Sequence, residues 1–284
     1  MAADEPTLSG SAASDGGFAP PRAEIRSFAI SDCAFILSED PDLAQMLSPK
    51  DRLAATEAFR APVIDLCEGD WEPPELDPRT TYGLLVLDGL LGRRTRVGRG
   101  LVSELLGSGD IVRPWETACP WSFVPARVEW FVSEPTRLAV LDGYITRLMG
   151  TRPELVVAFS NRLLAQSRSA QYLLAVCSLR RVDDRLLATL WHLASKWGRV
   201  TPHGVKVPFR LKHELLAQIV GATRQAVTSA LQGLRRRGEL SSDDRGRYIL
   251  RGNPSDWQKA SEARRRDRAQ SAESERNSAS PTAL

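Results

Sequence analysis

The stretch Leu211–Leu240, LKHELLAQIVGATRQAVTSALQGLRRRGEL, leaves the chain little choice about its local fold. Leu215, Leu216 and Ile219 place one apolar face on a first helix. Gly221 follows where a sharp turn is needed, because a residue without Cβ takes positive φ at no steric cost. Thr223 stands where the N-cap of a second helix belongs, its hydroxyl available to an orphan backbone N–H. Ala226, Val227, Ala230, Leu231 and Leu234 then recur at the spacing of one helical face. Arg224, Gln225 and Thr228 project from the other face, near the start of that helix. This is the pattern of a helix-turn-helix, whose second helix enters the DNA major groove N-terminal end first. The helix runs into Arg235-Arg236-Arg237, cations suited to phosphates and also to the negative end of the helix dipole.

The flanks extend the pattern. Behind the motif, Glu239-Leu240-Ser241 and Tyr248-Ile249-Leu250 bracket Asp243-Asp244-Arg245-Gly246, which predicts a β-hairpin, or wing, carrying Arg245 and Arg247 toward phosphate. Before it, Val205–Phe209 reads as a short strand and Val182–Trp197 as an amphipathic helix ended by Gly198. Charge is divided the same way. Residues 180–268 hold 20 Lys and Arg against 9 Asp and Glu, a balance of +11, while the remainder holds 18 against 26. A basic C-terminal part beside an acidic remainder suggests that one domain meets nucleic acid and the other does not.

The N-terminal half has a different texture. Residues 1–24 are rich in Ala, Ser, Gly and Pro and read as a disordered tail. Ile25 to Leu53 predicts short helices preceding a sheet. Short strands follow at Val63–Cys67, Tyr82–Leu87, Leu101–Leu106, Arg127–Val132 and Arg137–Leu141. Asp88-Gly89 is the strongest turn signal among them. Such a series predicts a β-sandwich or jelly roll over residues 25–150. Pro153 then opens a long helix, within residues 151–179. Its Leu155, Phe159, Arg162, Gln166, Ala170, Leu173 and Cys177 follow a nearly heptad seam, which a helix packed on its own domain or, the favoured reading despite polar Arg162 and Gln166, a dimer helix would show. Residues 253–284 read as a flexible basic tail.

The order β-roll, long helix, winged helix-turn-helix resembles the CRP/FNR family of bacterial transcription factors. The closest stretch is LLAQIVGATRQAVTSALQGLRRRGEL, and LLVLDGLLGRRTRVGRGLVSELLGSGDIV is similar to the family's Gly-punctuated sensor roll. The resemblance implies an α+β protein: an N-terminal double-stranded β-helix of the cyclic-nucleotide-binding type, a dimerisation helix, and a winged helix-turn-helix at residues 180–252. It implies a homodimer on double-stranded DNA, with RNA polymerase as a further partner. Carried over by position, Arg224 is the arginine that reads guanine, Gln225 takes the next reading position and favours adenine, and Ser229 takes a third, with Thr228 beside them. Thr223, Lys212, Arg235, Arg236, Arg245 and Arg247 fall to the DNA backbone. The sensor half departs from the family's pattern for cyclic AMP, a Gly-Glu turn followed by Arg-Ser or Arg-Thr. Here Arg113 precedes Pro and Arg127 precedes Val, so cyclic AMP is not the expected effector. Trp115, Trp121, Phe123 and Trp130 read first as core, and with Arg127 they are the candidates for an effector pocket.

Other functions find less support. His192, His203 and His213 have no partner at catalytic or ligand spacing, and no nucleophile elbow, phosphate loop or HExxH occurs, so no enzyme is expected. Cys33, Cys67, Cys119 and Cys177 are scattered and read as buried thiols, not ligands of zinc or an iron–sulfur cluster. No apolar run is long enough to span a membrane and no basic, apolar leader opens the chain, which predicts a cytoplasmic protein. The competing reading is a small-molecule-binding or protein-interaction module with a vestigial helix-turn-helix.

Overall fold

The computed structural model describes residues 30–115, 123–255 and 259. The expected tails at 1–24 and 253–284 therefore lie outside the described residues, apart from 253–255 and 259, and so do Cys119 and Trp121. Strand β1 (Ile30–Phe35) leads into a one-turn helix α1 (Ile36–Glu39), a 3₁₀ turn at Pro41–Ala44, and α2 (Pro49–Ala58). Ser48 caps α2 by accepting from the Asp51 N–H at 3.2 Å, with Pro49 at the first helical position. Strands β2 (Arg60–Leu66), β3 (Gly69–Trp71), β4 (Gly83–Val97), β5 (Gly100–Gly107), β6 (Ile111–Val112) and β7 (Ala126–Leu141) follow. All pair antiparallel, in the order β1-β2-β7-β4-β5, with β3 on β7 and β6 on β4.

The centre of this sheet is one long ladder. β4 and β7 pair from Gly83 opposite Leu141 to Val97 opposite Ala126. The run Leu84–Leu87 is buried on both faces of its strand, which is why it reads as continuously apolar. Leu84 and Val86 join one core with Trp71, Leu106 and Trp130; Leu85 and Leu87 join a second with α1, α2 and the helices that follow the sheet.

Asp88-Gly89 is not a turn. The strand runs straight through it, with register shifts on either side. Gly89 has φ +94°, and a Cβ there would lie 2.2 Å from the Pro135 carbonyl oxygen. Pro135, which has no N–H to give the ladder, faces it on β7. The dipeptide marks a bulge in which two backbones come close, and its local chemistry is the same as that of a hairpin turn. The two expected strands at Arg127–Val132 and Arg137–Leu141 are likewise one strand, carried across the same irregularity.

After the sheet come α3 (Gly143–Gly150), doubly capped by the Asp142 carboxylate, then α4 (Pro153–Cys177) and α5 (Val182–Trp197). The first part of the seam, Leu155 to Gln166, faces its own roll, and Cys177 at its far end donates to the Ile219 carbonyl of the C-terminal unit. Leu155 and Phe159 are fully buried in the roll's lower core. Arg162 donates to both Asp40 carboxylate oxygens at 2.7 and 2.8 Å, and Gln166 exchanges hydrogen bonds with the Ile111 backbone at 3.1 and 3.0 Å. The polar seam members have intrachain partners, so the heptad-like spacing serves packing within the chain. The apolar residues that α4 turns outward are Val156, Val157, Leu164 and Leu174, the last 75% exposed.

The chain ends in β8 (Arg199–Thr201), β9 (Gly204–Lys206), α6 (His213–Val220), α7 (Arg224–Arg236), β10 (Leu240–Ser242) and β11 (Tyr248–Leu250). The four strands form one small sheet, β10-β11-β9-β8. β8 gives no apolar signal in the sequence, and the observed β9 covers only the first part of the expected strand. Cys33 and Cys67 are exposed and Cys177 is half-buried, so the expectation of buried thiols fails for these three. Cys33 lies on edge strand β1 and points away from the core, opposite to buried Ala34.

Two expectations follow from the packing. Gly89→Ala should cost about 2–3 kcal/mol of unfolding free energy. Gly98→Ala, also at positive φ but with nothing within 4 Å, should cost only about 1 kcal/mol; equal costs in urea denaturation would remove the bulge argument. The second concerns His192, whose Nε2 lies 2.6 Å from Ser169 Oγ and whose ring stacks on Tyr172 at 4.7 Å. Burial, with the Lys196 ammonium beside it, pushes its pKa down to about 4. Between about pH 6.5 and 4 the unfolded chain binds a proton that the folded chain does not, so stability is full above that window and lost as pH falls through it. Asp40 and Asp110, both raised by burial, act in the opposite sense. Denaturant midpoints at about pH 7, 5.5 and 4.5 should fall further for the native chain than for His192→Gln; parallel profiles would contradict a neutral, buried His192.

Candidate nucleic-acid interface

α6 ends at Gly221, which takes φ 61° and ψ 50°, and the Ala222 N–H returns to the Ala217 carbonyl at 3.0 Å. Thr223 then caps α7, its Oγ1 accepting from the Ala226 N–H at 3.2 Å. Val227, Leu231 and Leu234 are fully buried against Leu187, Leu190, Leu216 and Val220. That burial holds α7 on α5 and α6 and turns the remaining face outward. Arg224, Gln225 and Ser229 are all exposed on it. Arg224 makes no ion pair or side-chain hydrogen bond among the described residues, so its five donors are available to a planar acceptor.

Thr228 is differently placed from its neighbours. Its hydroxyl donates to the Arg224 carbonyl at 2.9 Å and lies 2.9 Å from His213 Nδ1. With its one proton given to the carbonyl, it can only accept from the imidazole, which puts the proton on Nδ1. Burial, with Arg235 and Arg224 nearby, lowers the His213 pKa and favours the neutral ring. Thr228 therefore joins α7 to α6, and its hydroxyl is engaged within the chain.

The cations divide into two sets. Lys212, at the N-cap of α6, and Arg236 and Arg245 are exposed, with no ion pair among the described residues. Arg235 bonds Ser242 Oγ at 3.3 Å across to β10. Arg237 is held by Glu239 at 2.8 Å and Asp183 at 3.2 Å. Arg247 is held by Asp243 at 2.8 Å, which also accepts the Arg245 and Arg247 N–H groups. The Asp243 carboxylate thus shapes the wing turn, leaving Arg245 at the tip.

Arg185 escapes sequence inspection altogether. From α5 it donates to the Val220 and Gly221 carbonyls at 3.2 and 3.1 Å and to Leu179 at 2.6 Å. It places a cation at the C-terminal end of α6, where the helix dipole is negative, and braces the turn ahead of Arg224. No local signal points to it, because its partners lie 35 and 36 residues away.

A cavity of about 200 Å³ lies between the roll and α4, with Arg93, Glu104, Arg113, Trp130, Leu163 and Gln166 in its wall. Arg93 pairs with Glu104 at 2.5 Å, and Arg113 donates to the Tyr82 carbonyl. Of the aromatic residues picked out in the sequence, Trp130 alone lines it among the described residues. The Trp130 indole packs edge-on to Trp71 at 6.0 Å, and its Nε1 has no hydrogen-bond partner among the described residues. Trp115 lies beneath the Arg113 guanidinium at 5.2 Å. Phe123 is fully exposed, and Arg127 has an 80% exposed side chain near Glu129 at 3.5 Å. Arg127 and Phe123 are thus outside the cavity wall. Arg93 and Glu104, also in the wall, carried no signal in the sequence, and Gln166 read only as a polar member of the α4 seam.

Residues 184–252 match the Crp-like helix-turn-helix domain family. The C-terminal unit is a Crp-like helix-turn-helix domain. The global nitrogen regulator of Synechococcus elongatus is 26% identical over 92 residues, 32% of this chain and 41% of that protein. That of Synechocystis sp. is 24% identical over 97 residues, 34% of this chain and 43% of that protein. The chain thus spans less than half the length of the curated relatives it matches. Among solved structures, a CooA variant from Carboxydothermus hydrogenoformans superposes with a TM-score of 0.53 at 18% identity, covering 71% of this chain and 88% of that one. A CRP/FNR-family transcriptional regulator from Thermus thermophilus gives 0.50 at 19% identity, covering 70% and 98%. FixK2 from Bradyrhizobium japonicum gives 0.51 at 14%, covering 70% and 96%. The roll, long helix and Crp-like domain together have the CRP/FNR fold.

Arg185→Met keeps the aliphatic stem and removes three charged hydrogen bonds from the brace of the Crp-like domain. It should cost about 2 kcal/mol in urea denaturation. A loss within experimental error would show that the turn holds its shape without Arg185.

Proposed function

We propose that the protein is a sequence-specific DNA-binding transcriptional regulator of the CRP/FNR type that acts as a homodimer. The observation that carries this reading is the exposed, unpaired Arg224 at the N-terminal end of a firmly packed α7, with Gln225 and Ser229 beside it. A guanidinium there suits bidentate contact with guanine O6 and N7, and Gln225 suits adenine. Ser229 is short and reads weakly. Thr223, Lys212, Arg236 and Arg245 reach phosphates, with Arg235 contributing from the end of α7.

The outward apolar face of α4, Val156, Val157, Leu164 and Leu174, supports pairing with a second copy. A two-fold pair of reading heads requires a roughly palindromic site with half-site centres about one helical turn, roughly 34 Å, apart. The cavity beside α4 is the place for a small effector other than cyclic AMP. RNA polymerase is the expected partner once the dimer sits on DNA, and the cytoplasm its place of action. Among the described residues no helix is long and apolar enough to cross a membrane, and no cluster of His, Cys, Asp or Glu is arranged to hold a metal ion.

A duplex selected from a random library by the native chain supplies the test. Arg224→Ala should lower affinity for that duplex by about 10- to 100-fold and leave a salt-sensitive affinity for unrelated DNA unchanged. Equal losses on selected and unrelated duplexes would remove Arg224 from base reading.

A further inference from the structure

β5 turns its two faces toward two different parts of the molecule. Successive strand residues alternate sides. On one side Ser103 Oγ donates to Gln218 Oε1 of α6 at 2.7 Å, and Leu105 joins the core built around α5, α6 and α7. Gly107 lies against the Trp197 ring of α5, where a Cβ would come within 2.7 Å. On the other side Glu104 and Leu106 line the cavity under α4.

The turn after β5 repeats this division. Asp110 is 5% exposed; its carboxylate accepts from Lys196 Nζ of α5 at 2.8 and 3.0 Å and from the Gly107 N–H at 3.0 Å. The next residue, Ile111, lines the cavity and is held at both its N–H and its carbonyl by Gln166 of α4. Two further bonds cross the same boundary. Trp197 Nε1 donates to the Ser108 carbonyl at 3.2 Å, and the Arg210 N–H donates to Glu134 at 2.6 Å. The helix-turn-helix unit is therefore bolted to the roll by directional contacts, well beyond its covalent link at residues 178–181.

We infer that β5 and the Asp110–Lys196 pair position the reading head: they fix the orientation of α7 relative to the roll. They also carry a displacement of the cavity wall across a single strand to that head. This rests on the DNA-reading role proposed above. A buried ion pair adds little net stability, but its geometry is exacting, so it selects one orientation among several of similar packing. Interiors packed at crystal-like density transmit small shifts, and here one strand is the whole thickness between cavity and α6.

The test uses the full chain and the duplex that the native protein selects from a random library. Insertion of one or two base pairs at the centre of that duplex should weaken native binding at least tenfold. The double variant Asp110→Asn with Lys196→Met, which removes both buried charges together, should lose less than threefold on the same insertion and keep native affinity for a single half-site. Ser103→Ala with Gln218→Leu, which loosens the other end of β5 and leaves Asp110 intact, gives the same comparison should the first variant fail to fold. Leu106→Phe, pressing into the cavity from β5, should change native affinity at least fivefold and change the loosened variant's affinity less than twofold. Folded variants that keep native spacing discrimination, or a Leu106→Phe effect equal in both backgrounds, would overturn the inference. A native chain that selects no sequence at all would instead overturn the DNA-reading role itself.

Discussion

The antiparallel ladder between β4 and β7 is the constraint from which the other parts take their places. Every other strand of the large sheet hangs on it: β2 and β3 on β7, β5 and β6 on β4, and β1 on β2. Its two ends lead to the roll's lower core and to the C-terminal unit. At Gly83 and Leu141 the ladder meets β6 and then hands the chain to α3 and α4, which close the lower core. Beyond the bulge at Gly89, Leu90 and Phe131 reach out of the roll and into the core of the C-terminal unit. A sheet of this kind cannot shift one strand independently, because each row of backbone bonds is shared with a neighbour.

How much of this was legible depended on the range over which each determinant acts. The helix-turn-helix could be read in one pass, because Gly221, the Thr223 cap and the apolar face Val227, Leu231 and Leu234 are all local. The roll's topology could not, because Gly83 meets Leu141 and Val97 meets Ala126 only after the chain has folded back. Asp88-Gly89 misled for a physical reason: positive φ is equally the requirement of a two-residue turn and of a bulge where another backbone approaches. The α4 seam left two partners open. Apolar residues at heptad-like spacing specify a buried stripe, and the spacing is the same whether the stripe meets a second chain or the same one. Arg162 and Gln166 were the warning, since a polar residue in a seam needs a partner, and theirs are Asp40 and Ile111 of the roll.

The site was legible by position but not by partner. Sequence placed Arg224, Gln225 and Ser229 on one face of α7, and the structure has all three exposed there. It could not tell that the Thr228 hydroxyl is engaged by His213, or that Arg247 is engaged by Asp243. Nor could it find Arg185, whose contribution is to hold carbonyls from another helix. Polar side chains of one type take opposite roles according to whether a carboxylate or carbonyl lies within reach, and that is a property of the fold.

The same distinction bears on the basic charge of the C-terminal half. A balance of +11 over residues 180–268 suggests a broad cationic surface, yet several of its arginines are neutralised locally. Arg181 and Arg237 both meet Asp183, which ties the start of α5 to the end of α7. Arg247 meets Asp243 within the wing. The strong bonds from Arg181 hold the Asp183 carboxyl below the usual carboxylate range, against the opposing effect of its partial burial, so this tie persists through neutral pH. Among the described residues, the cations without an ion pair include Lys212, Arg224, Arg236 and Arg245, on the cap of one helix, the two ends of the next and the tip of the wing. The paired arginines hold those elements in place, and Lys212, Arg224, Arg236 and Arg245 stand exposed on them. Division of labour among like charges, more than their total, shapes the cationic surface of this half of the chain.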